Sequence, residues 1–319
     1  MRHEYALYNK KYGYYMKKNP FGKQGDYITS PLISNLFGEM ITIWCVAFWQ
    51  YLGKPKKFFL VELGPGDGSL CKEILNTSKN FKNFYDCLKI NLLEISDNLK
   101  IIQKNKIKSK KVKWIKKINK LNTGPIIFLA NEFFDSLPIK QIYKEKNLFF
   151  EKHVILSENN KKIKFFLKKA KSNLIKKIRK LNLGAEDRII EYPTKAIEYL
   201  ELIAKKVKKY DGGLLTFDYG YMKNNNKDTL QSVKNHKYFN ILSEPGNSDI
   251  TSLINYKLFL KILKNNGLKV EKIATQSEFL QRLGIIERAN IVSKKMSFRE
   301  KANIFYRLKK LLDHKEMGV

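Results

Sequence analysis

Four sets of acidic residues in this sequence fall where a buried strand is predicted to end. They are Glu62, Glu94, Glu132 with Asp135, and Asp218. Ligands of doubly wound α/β sheets bind beyond the carboxyl ends of the parallel strands, so acids at those ends can bind a polar ligand or handle a proton. A lone acid of this kind is more often a surface carboxylate. Four sets at one predicted sheet edge favour a functional site.

A glycine-rich stretch begins directly after the first of these acids. The apolar run Phe58–Leu63 is followed by Gly64, Gly66 and Gly68, and then by helix-forming residues. This order predicts a strand, a tight loop and a helix whose first N–H groups face a ligand. The spacing E-x-G-x-G-x-G differs from the G-x-G-x-x-G of dinucleotide loops and resembles motif I of the class I S-adenosylmethionine-dependent methyltransferases. A glycine-rich turn without a ligand is the alternative.

The acidic pair after the fourth predicted strand indicates what would receive a methyl group. Methyl transfer from a sulfonium is an in-line displacement, in which the protein positions donor and acceptor, excludes water and manages the acceptor's proton. Glu132 and Asp135 favour a cationic acceptor, because carboxylates bind a guanidinium bidentately and that group holds its proton, with a pKa above about 12. The same acids repel a phosphate backbone, which weighs against RNA.

The elements that must position these residues follow a βαβ pattern, which predicts an α/β fold with a parallel sheet. Strands are predicted at 58–63, 88–94, 112–115, 125–130, 212–220 and 267–274, and helices at 31–52, 70–78, 97–106, 172–181, 194–209, 256–264, 277–283 and 297–312. Residues 131–211 separate the fourth and fifth predicted strands, too many for one connection. We therefore predict a substrate-site insertion over about 138–192, with strand pieces at 141–150 and 161–166 and a turn at 158–160.

Residues 1–57 precede the first predicted strand, and we interpret them as an N-terminal lid over a core formed by 58–319. Pro20 and Gly25 predict a loop, and Ser30 before a proline predicts the N-cap of a helix that ends at Gly53. From the pattern alone, the polar residues Asp26 and Thr29 are better explained by loop chemistry and capping than by a ligand.

The formal charge of +32 comes from 62 Lys and Arg against 30 Asp and Glu. Such an excess can indicate a polyanionic partner such as RNA. The basic residues are mostly lysine, accompanied by abundant asparagine and isoleucine, which is typical of an AT-rich genome. Because the lysines follow no single face, the compositional bias of the genome is the preferred explanation.

The cysteines, histidines and apolar runs argue against disulfides, a metal site and a membrane span. The three cysteines form no C-x-x-C, and the four histidines have no ligand spacing, so neither a disulfide framework nor a metal site is predicted. The apolar run 40–52 is too short to span a membrane. The sequence predicts a cytoplasmic protein of a bacterium, or a mitochondrial matrix protein given without its presequence.

The motifs together resemble the MidA family of methyltransferases, which includes the mitochondrial complex I assembly methyltransferase and many bacterial proteins. They recur in the family's order over nearly the whole chain, and the Gly-Asp-Tyr and Asn-Glu-Phe-Phe-Asp segments are far more specific than the glycine loop. The matching segments are 13–15, 25–31, 37–39, 62–70, 131–138, 213–220, 245–246, 249–251, 275–276 and 279–280.

The resemblance implies a class I methyltransferase core that binds S-adenosyl-L-methionine and symmetrically dimethylates an arginine on a subunit of the respiratory NADH dehydrogenase, complex I, during assembly. The family's cofactor motifs map to Gly25, Asp26, Thr29, Glu62, Gly64, Gly66, Glu94 and Asn131. We assign the catalytic roles to Glu132 and Asp135, together with Asn131. Asp67 stands where the family commonly has arginine.

Other functions remain as alternatives. An RNA methyltransferase is motivated by the charge, although nucleic acid is the disfavoured partner. An assembly chaperone could bind the cofactor without essential catalysis. A nicotinamide dehydrogenase ranks last, because the loop lacks the dinucleotide spacing.

Overall fold

The secondary structure is taken from a computed structural model that describes residues 3–17, 20–22, 25–26, 29–121, 123–157, 162–184, 188–223, 225–234 and 237–318. Its helices are α1 His3–Tyr8, α2 Tyr14–Lys17, α3 Ser30–Ile33, α4 Asn35–Tyr51, α5 Ser69–Ser78, α6 Lys82–Cys87, α7 Asp97–Ile107, α8 Ser172–Lys180, α9 Thr194–Tyr210, α10 Tyr256–Asn265, α11 Gln276–Arg282, α12 Ile285–Ser293 and α13 Phe298–Leu312. Its strands are β1 Phe58–Leu63, β2 Leu88–Leu93, β3 Val112–Ile115, β4 Ile126–Asn131, β5 Lys140–Glu145, β6 Leu148–Leu156, β7 Ile163–Lys169, β8 Ile189–Tyr192, β9 Gly212–Phe217, β10 Gly220–Tyr221, β11 Gln231–Lys234, β12 Lys237–Phe239, β13 Asp249–Thr251 and β14 Ile254–Asn255.

The chain forms two compact units. We call one the sheet unit, which comprises Phe21–Asn131, Lys205–Phe217 and Val270–Val319. The other, the insertion unit, comprises Met1–Pro20, Glu132–Ala204 and Asp218–Lys269. The N-terminal segment 1–57 therefore divides between the two units. Its role as a lid, and the boundaries predicted for the core and the insertion, stay predictions.

The sheet unit contains a five-stranded sheet in the order β3-β2-β1-β4-β9, and all of its strand pairs are parallel. β1 and β4 lie inside the sheet and read as continuous apolar runs because both of their faces are covered. Phe58 and Leu60 on β1 and Ile126 to Phe128 on β4 are completely buried. The predicted α/β fold class with a parallel central sheet is confirmed.

Helix α4 packs its apolar side into the core of the sheet unit. Phe37, Ile41 and Cys45 recur every four residues and are fully buried. This helix begins at Asn35, so the prediction of one continuous helix from Pro31 is wrong. The reason is Ser34, whose extended backbone interrupts the helix and whose side chain accepts a hydrogen bond from the N–H of Leu36.

The insertion unit contains an antiparallel sheet in the order β7-β6-β5-β8. The first predicted strand piece, 141–150, is divided by a turn into β5 and β6, and the second corresponds to β7. The predicted turn at 158–160 lies outside the described residues. Smaller ladders join β11 to β12 and β13, and β10 to β14. Helices α1 and α2 belong to the same unit.

Two predictions about the later part of the chain are wrong. The segment 267–274 alternates apolar and polar residues, but it forms no strand, because none of the described strands lies beside it to complete a ladder. The fifth strand ends at Phe217 rather than at Gly220, because Asp218 turns to receive backbone N–H groups. Helices α6 and α12 were not predicted.

No helix within the described part of the chain is both long enough and apolar enough to cross a membrane.

Candidate functional site

The glycine loop after β1 has a backbone that only glycine adopts without strain. The φ angles are 62° at Gly64, 55° at Gly66 and 84° at Gly68, all in the left-handed region that β-carbons disfavour. A Cβ at position 66 would also lie 3.3 Å from the ring of Phe21. Phe21, which precedes the Gly25–Asp26 motif, therefore packs against the glycine loop.

Glu62 is a buried carboxyl near the carboxyl end of β1, next to the glycine loop. Its side chain is 3% exposed, and its Oε2 atom has no hydrogen-bond partner among the residues that the structure describes. Burial, reinforced by the charge of Asp67, raises the pKa of Glu62 to about 8. A buried acceptor without a donor is costly, so this oxygen is suited to a ligand that supplies an N–H or O–H group.

Glu94 follows β2 directly, and its carboxylate is held by two donors. The backbone N–H of Ser96 donates to Oε1 at 2.7 Å, and Gln103 Nε2 donates to Oε2 at 3.0 Å. Burial raises the pKa of Glu94 above its usual value. Each carboxylate oxygen can accept a further bond, so Glu94 remains able to receive the hydroxyl groups of a ribose.

Gln103 on α7 connects Glu94 to the glycine loop. Its Nε2 also donates to the carbonyl of Gly66 at 2.8 Å, and its Oε1 accepts from Trp114 Nε1 at 2.8 Å. The side chain is completely buried. Because it contacts both elements that would bind a cofactor, Gln103 fixes the position of the loop relative to Glu94.

Asp67, the departure from the resembled family, stabilises the start of α5. Its Oδ1 accepts from the backbone N–H of Ser69 at 2.9 Å, and Lys106 binds both its Oδ2 and the hydroxyl of Ser69. The acid satisfies an N–H group at a helix N-terminus, where a negative charge is favourable. A local capping role therefore accounts for aspartate at this position.

The other predicted cofactor residues also belong to the sheet unit. Gly25 closes a turn by donating to the carbonyl of Gly22 at 2.9 Å, and Asp26 is 2% exposed. Thr29 occupies the N-cap position of α3, although its side chain makes no capping bond. Asn131 is the last residue of β4 and is half-buried. The neighbouring motif residues at 27–28 lie outside the described residues.

The insertion unit contains a cluster of carboxyl groups, which we call the acid cluster: the buried Asp135 and Asp249 and the half-buried Asp218, with Glu132 beside them. The exposed fractions of Asp135 and Asp249 are 9% and 4%. Burial and the charges of Asp218 and Asp249 raise the pKa of Asp135 well above its usual range. Burial and the charge of Glu132 raise the pKa of Asp218 to about 8. The mutual repulsion of these acids makes the cluster suited to a cation.

Asp218 organises the segment that carries the predicted catalytic pair. Its Oδ2 accepts from the N–H groups of Phe134 at 2.9 Å and Asp135 at 3.2 Å, and its Oδ1 accepts from its neighbour Tyr219. Glu132 has a φ of 48°, in the left-handed region that non-glycine residues rarely adopt. Such strain persists where the surroundings impose it and is typical of functional sites.

Aromatic side chains surround the acid cluster. Tyr15 donates its hydroxyl to Asp249 Oδ1 at 2.7 Å, and its ring stacks on that of Tyr8 with centroids 5.6 Å apart. Tyr256 donates to the carbonyl of Asp218 at 2.8 Å. Burial and the nearby acids raise the pKa of Tyr219 above its usual value, so its ring is neutral beside them. Aromatic faces next to carboxylates favour a planar cation.

The structure thus groups the predicted residues into two sets. All the residues predicted for the cofactor lie in the sheet unit, and Glu132 and Asp135 lie in the insertion unit. Sequence reasoning missed two polar residues, Gln103 and Asp249. Gln103 interrupts an apolar stripe with Leu99 and Ile107 on α7, a signal that could have identified it. Asp249 lay in a recognised motif, but nothing local indicated that it joins the acids.

Residues 40–274 of the chain match the model of a protein family described as "Putative S-adenosyl-L-methionine-dependent methyltransferase". The relatives with the name protein arginine methyltransferase NDUFAF7, mitochondrial, include proteins from a frog, a fish and human. The Xenopus tropicalis protein is 30% identical over 92% of this chain and 73% of its own length. The Danio rerio protein is 29% identical over 98% and 79%. The human protein is 27% identical over 98% and 76%.

Two solved structures from Burkholderia thailandensis, both of the COG1565 superfamily, share the fold. One, bound to S-adenosyl-homocysteine, has a TM-score of 0.83 and 19% identity, over 99% of this chain and 84% of that one. The other has a TM-score of 0.82 and 18% identity, over 99% and 83%. The resemblance inferred from the motifs is confirmed. The chain belongs to the MidA family of S-adenosyl-L-methionine-dependent methyltransferases, and S-adenosylmethionine is its cofactor.

Proposed function

We propose that this protein is an arginine methyltransferase that modifies a protein, namely a subunit of the respiratory NADH dehydrogenase during assembly of complex I. The observation that carries the proposal is the acid cluster, in which burial and neighbouring acids raise the pKa values of Asp135 and Asp218. A guanidinium would supply the positive charge that such a cluster favours. The names of the relatives, which specify an arginine methyltransferase, support the same acceptor.

The residues of the sheet unit fit the cofactor. Glu62 offers a buried acceptor without a donor, and the glycine loop exposes backbone that a β-carbon would crowd. We assign Gly64 and Gly66 to close approach of the ligand and Glu94 to the ribose hydroxyls. Gly25, Asp26, Thr29 and Asn131 complete this assignment. When bound, S-adenosylmethionine supplies an electrophilic methyl group on a sulfonium.

The acids of the insertion unit would bind and orient the acceptor. Glu132 and Asp135 are assigned to the guanidinium, whose nitrogens they can engage in paired hydrogen bonds. Asp218 holds the backbone of this segment through Phe134 and Asp135, so its role is positioning. A carboxyl with a raised pKa is also a better proton acceptor, and a nitrogen that gains a methyl group must lose a proton.

Two other functions are tested by the same experiment. The charge of +32 motivates an RNA acceptor, whereas the acid cluster would repel phosphates. A chaperone that binds S-adenosylmethionine without catalysis would show no methyl transfer at all. The cytoplasmic location expected from the sequence is also a proposal, because the relatives are named as mitochondrial and so do not support it.

The test is incubation of the pure protein with labelled S-adenosylmethionine and an extract of cells that lack its gene, followed by separation of protein from RNA. We expect label in protein, on an arginine identified by mass spectrometry in a subunit of the NADH dehydrogenase. Label confined to RNA would refute the proposal. Assembly of complex I that proceeds normally with a variant unable to transfer methyl groups would favour the chaperone.

A further inference from the structure

Strand β7 of the insertion unit presents a free, basic and apolar edge. It is the last strand in the order β7-β6-β5-β8, and among the described strands only β6 pairs with it. Its residues Ile163–Lys169 include three lysines and no acid. From Lys164 onward, every one of its side chains is exposed. An exposed edge strand is a template on which another strand can add.

The register of the hairpin shows which backbone groups of β7 face outward. Ser157 N–H donates to the carbonyl of Lys162 at 2.8 Å, and Ala170 N–H donates to that of Phe149 at 2.8 Å. Hydrogen-bonded pairs alternate along an antiparallel ladder, so even-numbered residues of β7 bond to β6. The N–H and C=O groups of the odd-numbered residues, such as Phe165 and Leu167, therefore point away from β6.

The two faces of this ribbon differ in character. Residues directly opposite one another share a face, and Val154 lies opposite Phe165 while Leu156 lies opposite Ile163. That face is mostly apolar, although Lys152 and Lys169 share it, and the exposed fractions of Leu156 and Leu167 are 60% and 48%. Lys164 and Lys168 of β7 lie on the other face with Phe166 between them, because side chains alternate along a strand.

We propose that β7 docks an extended segment of the protein substrate in which apolar and acidic residues alternate. The segment would pair with the outward backbone groups of β7, cover its apolar face and place its acids next to Lys164 and Lys168. RNA could use the lysines and single N–H groups, but it has no backbone of N–H and C=O groups with which to form a ladder along β7. A second copy of the chain would bring lysine beside lysine, which is unfavourable across a strand pair. The proposal rests on the proposed function, because it takes the substrate to be a protein.

The test uses the full chain and fluorescent peptides of alternating valine with glutamate or with lysine, followed by anisotropy. We expect the glutamate peptide to bind and the lysine peptide not to bind. Leu167→Pro removes an outward N–H that β6 does not use, and proline is tolerated on such edges. It should weaken binding about tenfold or more. Leu167→Val, which keeps the N–H and an apolar side chain, is the matched control.

A second variant keeps the test valid if circular dichroism shows that the proline variant is misfolded. Lys164→Glu with Lys168→Glu should reverse the preference in favour of the lysine peptide. Equal binding of both peptides, or binding that the proline and charge variants leave unchanged, would overturn the proposal. So would a dimer in sedimentation that Leu167→Pro dissociates, or tight binding of an RNA oligonucleotide that competes with the peptide.

The outcome can be separated from that of the proposed function. Methyl transfer to a free arginine peptide without an acidic segment should be the same in Leu167→Pro and in the unmodified protein. If no arginine is methylated by either protein but the glutamate peptide binds, the proposed function fails and the docking surface stands. If arginine is methylated but neither peptide binds, the docking surface fails alone.

Discussion

Burial and a neighbouring acid raise the pKa of Glu62 in the sheet unit and that of Asp218 in the insertion unit to about 8, but the two carboxyls differ in their hydrogen bonds. Glu62 lies in an apolar strand, and one of its oxygens accepts no hydrogen bond from the described residues. Asp218 accepts three backbone N–H groups and lies next to other acids. Glu62 therefore offers an oxygen that accepts no hydrogen bond from the described residues, whereas the acid cluster brings several carboxyls close together.

This difference predicts what each unit binds. A buried acceptor without a donor is satisfied by a ligand that brings an N–H or O–H group, which suits a cofactor held against the glycine loop. The repulsion between carboxylates is relieved by positive charge, which suits a guanidinium. The same rise in pKa thus indicates a ligand that donates a hydrogen bond at Glu62 and a cationic methyl acceptor at the acid cluster.

The largest expected effect is on the acid cluster. Asp135→Asn and Glu132→Gln each remove a negative charge that would balance the guanidinium and assist loss of its proton. We expect kcat to fall about 100-fold or more, by analogy with other acid–base and electrostatic groups. Affinity for S-adenosylmethionine, measured by calorimetry, should stay the same, because both residues are assigned to the acceptor.

The matched control is Glu145→Gln, which removes an exposed acid from β5 of the same unit. It should leave kcat unchanged. Full activity of both cluster variants, with unaltered cofactor affinity, would show that these acids do not bind the acceptor.

The second expected effect concerns the glycine loop. Gly66→Val places a side chain at a φ of 55° and against Phe21. Strain and crowding together cost about 3 kcal/mol, so affinity for S-adenosylmethionine should fall on the order of 100-fold. Gly53→Val is the control, because Gly53 has a φ of 80° but nothing within 4 Å of a Cβ. Equal losses in both variants would indicate general destabilisation rather than a ligand site.

Much of the sheet unit could be predicted from local pattern. Strands β1 and β3 have the predicted bounds, and α7 differs by one residue at its end. The reason is that β1 is an apolar run of strand length, and α7 begins after Ser96, whose side chain accepts from Leu99 N–H. Periodicity and capping are local, so one sequence is sufficient to identify them.

The acid cluster could be predicted only in part, because it is assembled from distant segments. Asp135 and Asp218 were recognised as acids after strands, but Asp249 reaches the cluster from β13, whose position depends on the ladder with β11. The wrong strand at 267–274 has the same cause, since alternation predicts a strand whether or not a neighbouring edge exists. Partners distant in sequence leave no local signal.

A smaller effect is expected from the residue that links the loop to Glu94. Gln103→Met keeps the volume of the side chain but removes its bonds to Gly66, Glu94 and Trp114. The loop and the acid should lose their relative position, and affinity for S-adenosylmethionine should fall about tenfold. The free energy of unfolding should fall by about 2 kcal/mol, because buried groups lose their partners. If the affinity for S-adenosylmethionine is unchanged and only the free energy of unfolding falls, Gln103 has a structural role alone.

The smallest expected effect is on the pH dependence of the free energy of unfolding, to which both carboxyls contribute. Folding raises the pKa of Glu62 from 4.5 to about 8 and that of Asp218 from 3.8 to about 8. The folded protein therefore binds more protons than the unfolded chain in this range, and its free energy of unfolding falls as the pH rises through it. Asp218→Asn and Glu62→Gln should each make that fall shallower, which urea titrations at several pH values would measure.

Only one of the two carboxyls should respond to the cofactor. A donor bound to Glu62 favours its ionised form, so S-adenosylmethionine binding at neutral pH should release up to about one proton. Calorimetry in two buffers of different ionisation enthalpy measures this release. The proton release should disappear in Glu62→Gln and persist in Asp218→Asn, because the acid cluster with Asp218 is assigned to the cationic acceptor and not to the cofactor. Release that disappears in Asp218→Asn but persists in Glu62→Gln would reverse the assignment of donor and cation to the two units.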